Sequence, residues 1–152
     1  MSMFLFDGIM FLHILAAVIG LGAAFVFPVL SRAAKTAEQA RHTIALFEKL
    51  ALLPIAGSVG MLITGVSLLL LEPALLATGW FIASLFLFFA AQMLVIGVLP
   101  KSMRRQSAAL EAHEGEGVPV EYRRISRQTA RVEMVTHLLA VVLLAVLIFR
   151  PF

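Results

Sequence analysis

The charges of this chain are segregated. Its 12 basic and 9 acidic residues fall almost entirely within 31–49 and 101–133, and the stretches before, between and after are long, apolar and nearly free of charge. About 20 mainly apolar residues cross about 30 Å of hydrocarbon, and 152 residues leave room for four such segments and little else. The chain is 61% apolar and 14% charged, against about 45–50% and about 25% for soluble domains. A water-soluble fold is therefore excluded, and length alone excludes a large catalytic domain outside the membrane. The expected fold class is an all-α integral membrane four-helix bundle, a single domain over 1–152 with spans near 6–30, 50–71, 80–99 and 132–149. Residues 1–30 carry Asp7 ahead of their apolar run and no basic leader, so they read as a mature helix rather than a signal peptide.

Orientation follows from the basic residues. Arg32, Lys35, Arg41 and Lys49 lie in the first connection (31–49), and Lys101, Arg104, Arg105, Arg123, Arg124, Arg127 and Arg131 in the third (100–131). Four spans place both connections on one side, which the positive-inside rule makes the cytoplasm. The N- and C-termini then face outward, and Trp80 falls at the outer interface, where aromatic residues anchor. The expected location is the bacterial inner (plasma) membrane, crossed several times. The net charge of +3 is thereby an orientation signal, with membrane lipid as a partner and no nucleic acid.

The third connection reads as two helices overshooting the membrane. Span three, kinked at Pro100, continues through Lys101 to His113 and breaks at Glu114-Gly115-Glu116-Gly117-Val118-Pro119, after which a new helix starts near Val120. The product is a cytoplasmic helical hairpin whose charges form a solvated face that anchors on anionic lipid, or a docking surface for another protein. His42 and His113 read as solvated.

Polar and small residues inside the spans are the candidate functional positions. In span one, His13 shares a helical face with Ala16, Ala17, Gly20 and Ala24; in span two, Ala56, Gly60 and Thr64 repeat the device. Small residues at this spacing let a second backbone approach, or leave a flat slot. His13 should thus point into the bundle or a dimer seam. Pro54 suggests a bent second helix whose freed carbonyl needs a partner. Gln92 calls for an interhelical hydrogen bond. Glu133 and His137, four residues apart, share one face of span four, where the carboxylate can orient the imidazole as at metal-ligating histidines; a structural ion pair or a proton-handling pair reads equally well. With no Cys, thiolate chemistry is excluded, so any metal or cofactor falls to His, Met, carboxylate or backbone. One haem b ligated by both His13 and His137 is opposed by depth, because the two lie about 12–15 Å apart along the membrane normal. A haem or porphyrin on His13 alone, or a metal there, stays open, with His137 and Glu133 a separate inner feature.

Leu12-His13-Ile14, Leu62-Ile63-Thr64-Gly65, Gly79-Trp80, Tyr122-Arg123-Arg124 and Arg150-Pro151 together resemble an uncharacterised bacterial family of four-span proteins, domain of unknown function twenty-two sixty-nine. That family is distantly similar to HemJ-type protoporphyrinogen oxidases and CopD-type copper proteins. The likeness implies a haem-associated histidine at His13, but Ser84 stands where the HemJ type carries a lysine, which argues against protoporphyrinogen oxidation. Two functional classes follow. One is a non-enzymatic accessory subunit that packs by its Ala/Gly faces against itself, as a homo-oligomer, or against a larger membrane complex. The other is a haem-, porphyrin- or metal-binding redox protein using His13. A permease is a third reading, which would need several copies to enclose a path.

Overall fold

A computed structural model of the protein describes residues 2–151, without side-chain detail at Ser2, Ala23, Ala24 and Arg32. Six helices follow one another: α1 (Ser2–Ala33), α2 (Ala37–Leu50), α3 (Leu52–Leu71), α4 (Gly79–Gly97), α5 (Leu99–Glu111) and α6 (Val120–Phe149), with a short 3₁₀ turn at Pro73–Ala77 between α3 and α4. No strand occurs among the described residues, only an isolated bridge between Thr36 and Gly117. Among the described residues four stretches are long and apolar enough to cross a membrane: Met3–Ser31, Ala37–Leu71, Gly79–Glu111 and Val120–Phe149. Their large side chains stay exposed on the outer surface, Leu70 at 76% and Ile148 at 72%, which suits lipid and would be an aggregation hazard in water. The chain is an all-α membrane bundle.

The helices are joined as two pairs. α1 packs chiefly on α3 and α4 on α6, whereas contacts between the pairs are sparse. A 30-residue helix is about 45 Å long and exceeds about 30 Å of hydrocarbon. The excess gathers at one end, where α2, α5 and the start of α6 form a cap. Its core is Ala37, Ala40, Ile44, Leu110 and Tyr122.

The helix of 37–50 lies in what composition alone marks as a charged connection. Thr36 caps it, its hydroxyl accepting from the Gln39 N–H at 3.2 Å, while the Gln39 side-chain oxygen accepts from the Lys35 N–H at 2.8 Å. Glu38 in the first turn and Lys49 in the last complement the helix dipole. Its buried residues Ala37, Ala40, Ile44 and Phe47 fall at three- and four-residue spacing, so one stripe packs on the cap and the charges face outward.

Both prolines expected to bend helices act just after a break. α2 hands over to α3 at Ala51, three residues before Pro54, and α4 to α5 at Val98, two residues before Pro100. A proline has no N–H and is tolerated in a first turn, where that N–H would be unpaired in any case. The bends therefore precede the prolines, and the two rods 37–71 and 79–111 each consist of a span joined to a cap helix.

Candidate functional site

His13 stands at the α1/α3 seam. Its Nδ1 lies 2.8 Å from the Thr64 hydroxyl oxygen, and that oxygen is 2.6 Å from the Gly60 carbonyl one turn back along α3. The carbonyl can only accept, so the single hydroxyl proton is committed to it and the hydroxyl accepts from His13 Nδ1–H. This assigns the imidazole its Nδ1–H tautomer, with the lone pair on Nε2. The ring also lies over Gly65, where a Cβ would sit 3.4 Å from His13 Cε1.

Below His13 the two backbones come together. A methyl on Gly57 would fall 2.5 Å from the Gly20 nitrogen and 2.7 Å from the Ala16 carbonyl oxygen, and one on Gly60 would fall 3.0 Å from Ala16 Cβ. The pairs His13 with Thr64, Ala16 with Gly60, and Gly20 with Gly57 form one antiparallel register. Ala16, Gly20, Gly60 and Thr64 thus meet in a single contact. Ala56 faces outward, and Gly57, which sequence spacing passed over, takes the crossing. The side chain of Ala24 lies outside the described residues.

This contact bears on a porphyrin at His13. The small-residue face that would give a ring its slot is filled by α3, and at Gly57 no added carbon fits. His137 is elsewhere: its ring stacks on Phe25, with centroids 4.4 Å apart and planes 18° from parallel. Phe25 is twelve residues beyond His13 on α1, or about 18 Å along the axis. The two histidines do not share a site. No group of three or more His, Asp or Glu placed to hold a metal ion occurs among the described residues. The arrangement does not fit a haem held by both histidines, or one lodged on the Ala/Gly face.

Glu133, one turn before His137, lies on the buried side of α6. Tyr122, Ile125, Thr129, Glu133, Thr136 and Ala140 form the buried stripe of α6, in steps of three and four residues. Near its middle is a closed polar cluster. Thr129 donates to the Ile125 carbonyl at 2.9 Å and accepts from Gln106 Nε2 at 3.0 Å, and its hydroxyl also meets that of Ser102. Beside this cluster all six helices surround a cavity of about 280 Å³. Phe27, Phe47, Pro54, Ile55, Ile96 and Met103 are among its apolar walls, and Gln106, Thr129 and Glu133 supply a polar side.

The two pairs touch through few side chains. Gln92 Nε2 donates to the Ser58 hydroxyl at 2.7 Å, while its Oε1 is buried without a partner. At the end opposite the cap, Arg150 takes a left-handed conformation (φ 45°) and its guanidinium lies 5.0 Å from the centroid of the Trp80 ring. Hydroxyls within the spans bond back to carbonyls four residues earlier, as Ser84 does to Trp80 at 2.6 Å and Thr136 to Val132 at 2.9 Å. Hydrocarbon offers them no other partner.

The model of one family, DUF2269, described as a predicted integral membrane protein, matches residues 8–151. The chain belongs to this family. No curated protein and no solved structure matches it. In this DUF2269 chain the short motifs singled out in the sequence meet in twos. Leu12-His13-Ile14 reaches Leu62-Ile63-Thr64-Gly65 through the His13–Thr64 hydrogen bond, and Gly79-Trp80 reaches Arg150-Pro151 through the cation–π contact. Tyr122 goes into the cap core, where burial pushes its hydroxyl above the usual tyrosine range. No periodicity announces the Trp80–Arg150 contact, because it joins two helix ends distant in sequence.

Proposed function

We propose that this protein is a small, non-enzymatic accessory unit of a membrane assembly, set in the bacterial inner membrane with its basic cap in the cytoplasm and both termini outside. One observation carries the reading. The polar side chains of the spans are spent on joining helices: His13 to Thr64, Gln92 to Ser58, His137 against Phe25. These three contacts lie apart from one another, and none of them lines the cavity. The orientation rests on the cap, which gathers the basic residues of both long connections, and on Trp80 at the other end.

A partner helix would meet faces other than the α1/α3 seam, which is already occupied. The outward side of α3 offers Leu52, Ala56, Val59, Ile63 and Leu70, all exposed, with the small Ala56 allowing close approach. The chain has no Cys, so Ala56→Cys introduces a lone thiol. Oxidation in native membranes should yield a disulfide dimer with a second copy, and native electrophoresis should show an assembly larger than one chain. A monomer in several mild detergents, with no cross-linked product from the membrane, would overturn the proposal.

A further inference from the structure

The cavity between the helix pairs is open to more than packing. An apolar cavity of about 150 Å³ stays dry and takes up an apolar guest, because its walls give water nothing to bond. This one is larger, about 280 Å³, with predominantly apolar walls. Its rim also says where a guest comes from. Ile55 of α3 and Ile96 of α4 both line the cavity, yet they are 54% and 67% exposed. They belong to α3 and α4, the span portions of the stretches Ala37–Leu71 and Gly79–Glu111, and α3 and α4 scarcely touch. The mouth therefore lies between those two helices and faces lipid.

Along one lip the chemistry changes from apolar to basic. Ile96 is followed, across the break at Val98, by Pro100, exposed and also on the cavity, and one turn after that by the exposed Arg104; Lys101, exposed as well, is beside Pro100. This row crosses from the span into the cap, where head groups lie. We infer that the cavity holds an acyl chain of an anionic membrane lipid, which enters between α3 and α4 and sets its head group against Lys101 and Arg104. The apolar chain fills a volume that water leaves, and the two cations select a negative head over a zwitterionic one.

The test uses the full chain in nanodiscs doped with phosphatidylglycerol carrying a photoreactive acyl tail. Cross-links should map to Met103 and Val95, which line the cavity. Unlabelled phosphatidylglycerol should compete, and phosphatidylcholine should compete poorly. Lys101→Gln with Arg104→Gln should weaken that competition about 30-fold, as expected for two juxtamembrane cations. Ala51→Phe, which fills the cavity, should abolish labelling at Met103; Ser126→Phe from the α6 wall serves if the first variant does not fold. Labelling confined to outward residues such as Leu70 and Ile148 would overturn the inference. So would equal competition by both lipids together with no effect of the double substitution.

Discussion

The α1/α3 seam and the cap are both helix contacts, built from opposite materials. In the seam the backbones themselves approach, with Gly20 against Gly57 and Ala16 against Gly60. In the cap the contact is a side-chain core, with Leu110 at 1% and Tyr122 at 4% exposure. With the cap outside the bilayer, as proposed, the difference follows the solvent. Lipid is as apolar as leucine, so burying leucine within the bilayer gains little, and helices associate there by close packing and interhelical hydrogen bonds. Beyond the bilayer, water makes apolar burial worth about 25 cal/mol per Å².

The cap is further tied by polar contacts that water-facing helices need at their ends. Arg41 Nη2 donates to the Leu110 and His113 carbonyls, each at 2.8 Å, at the C-terminal end of α5, and the Ala37 N–H donates to the Glu116 carbonyl at 3.1 Å. A cation there also complements the negative end of the helix dipole.

The largest effect should come from the seam. Gly57→Leu would drive a side chain into backbone that cannot retreat without separating α1 from α3, a cost above about 3 kcal/mol; thermal melting in detergent should drop sharply, while Val18→Leu, exposed on the outward side of α1, should leave it unchanged. Leu110→Ala should cost about 3 kcal/mol by leaving a cavity in the cap. Its loss should appear as proteolysis in 112–119, with the seam still formed. Thr64→Val removes the acceptor of the His13 hydrogen bond and should cost only about 0.6 kcal/mol, the usual worth of such a bond in a membrane, read from reversible unfolding in mixed micelles.

The smallest effect is one of pH. Burial raises the Tyr122 hydroxyl above its ordinary value of 10.0, so the unfolded chain ionises first as pH rises. The contribution is complete below about pH 10, the unfolded value, and is lost progressively above it as pH approaches the folded value. Cap stability should decline in that alkaline window, and Tyr122→Phe should remove the decline.

Charge segregation made the four apolar rods and their all-α class legible, because spanning a bilayer admits so few solutions. The spacing of Ala16, Gly20, Gly60 and Thr64 pointed to a small-residue face, yet it could not say whether the face meets another chain, a ring or α3. It is α3, and the crossing falls on Gly57. The 37–50 helix was hidden by its charge, although Thr36-Ala37-Glu38-Gln39 carries the capping pattern that could have revealed it. The cavity had no signature at all, since its walls come from all six helices and each contributes residues that would be ordinary alone.

The chain's lack of Cys allows one direct test of two contacts held by two forces. Ala16→Cys with Gly60→Cys staples the seam, and Thr36→Cys with Gly117→Cys, paired across the isolated bridge, staples the cap; each pair is oxidised in nanodiscs across a urea series. Urea solvates apolar groups exposed to water and has little access to the hydrocarbon. The cap pair should lose its ability to cross-link at moderate urea while the seam pair keeps it. Loss of both at the same concentration, or of the seam first, would contradict the account.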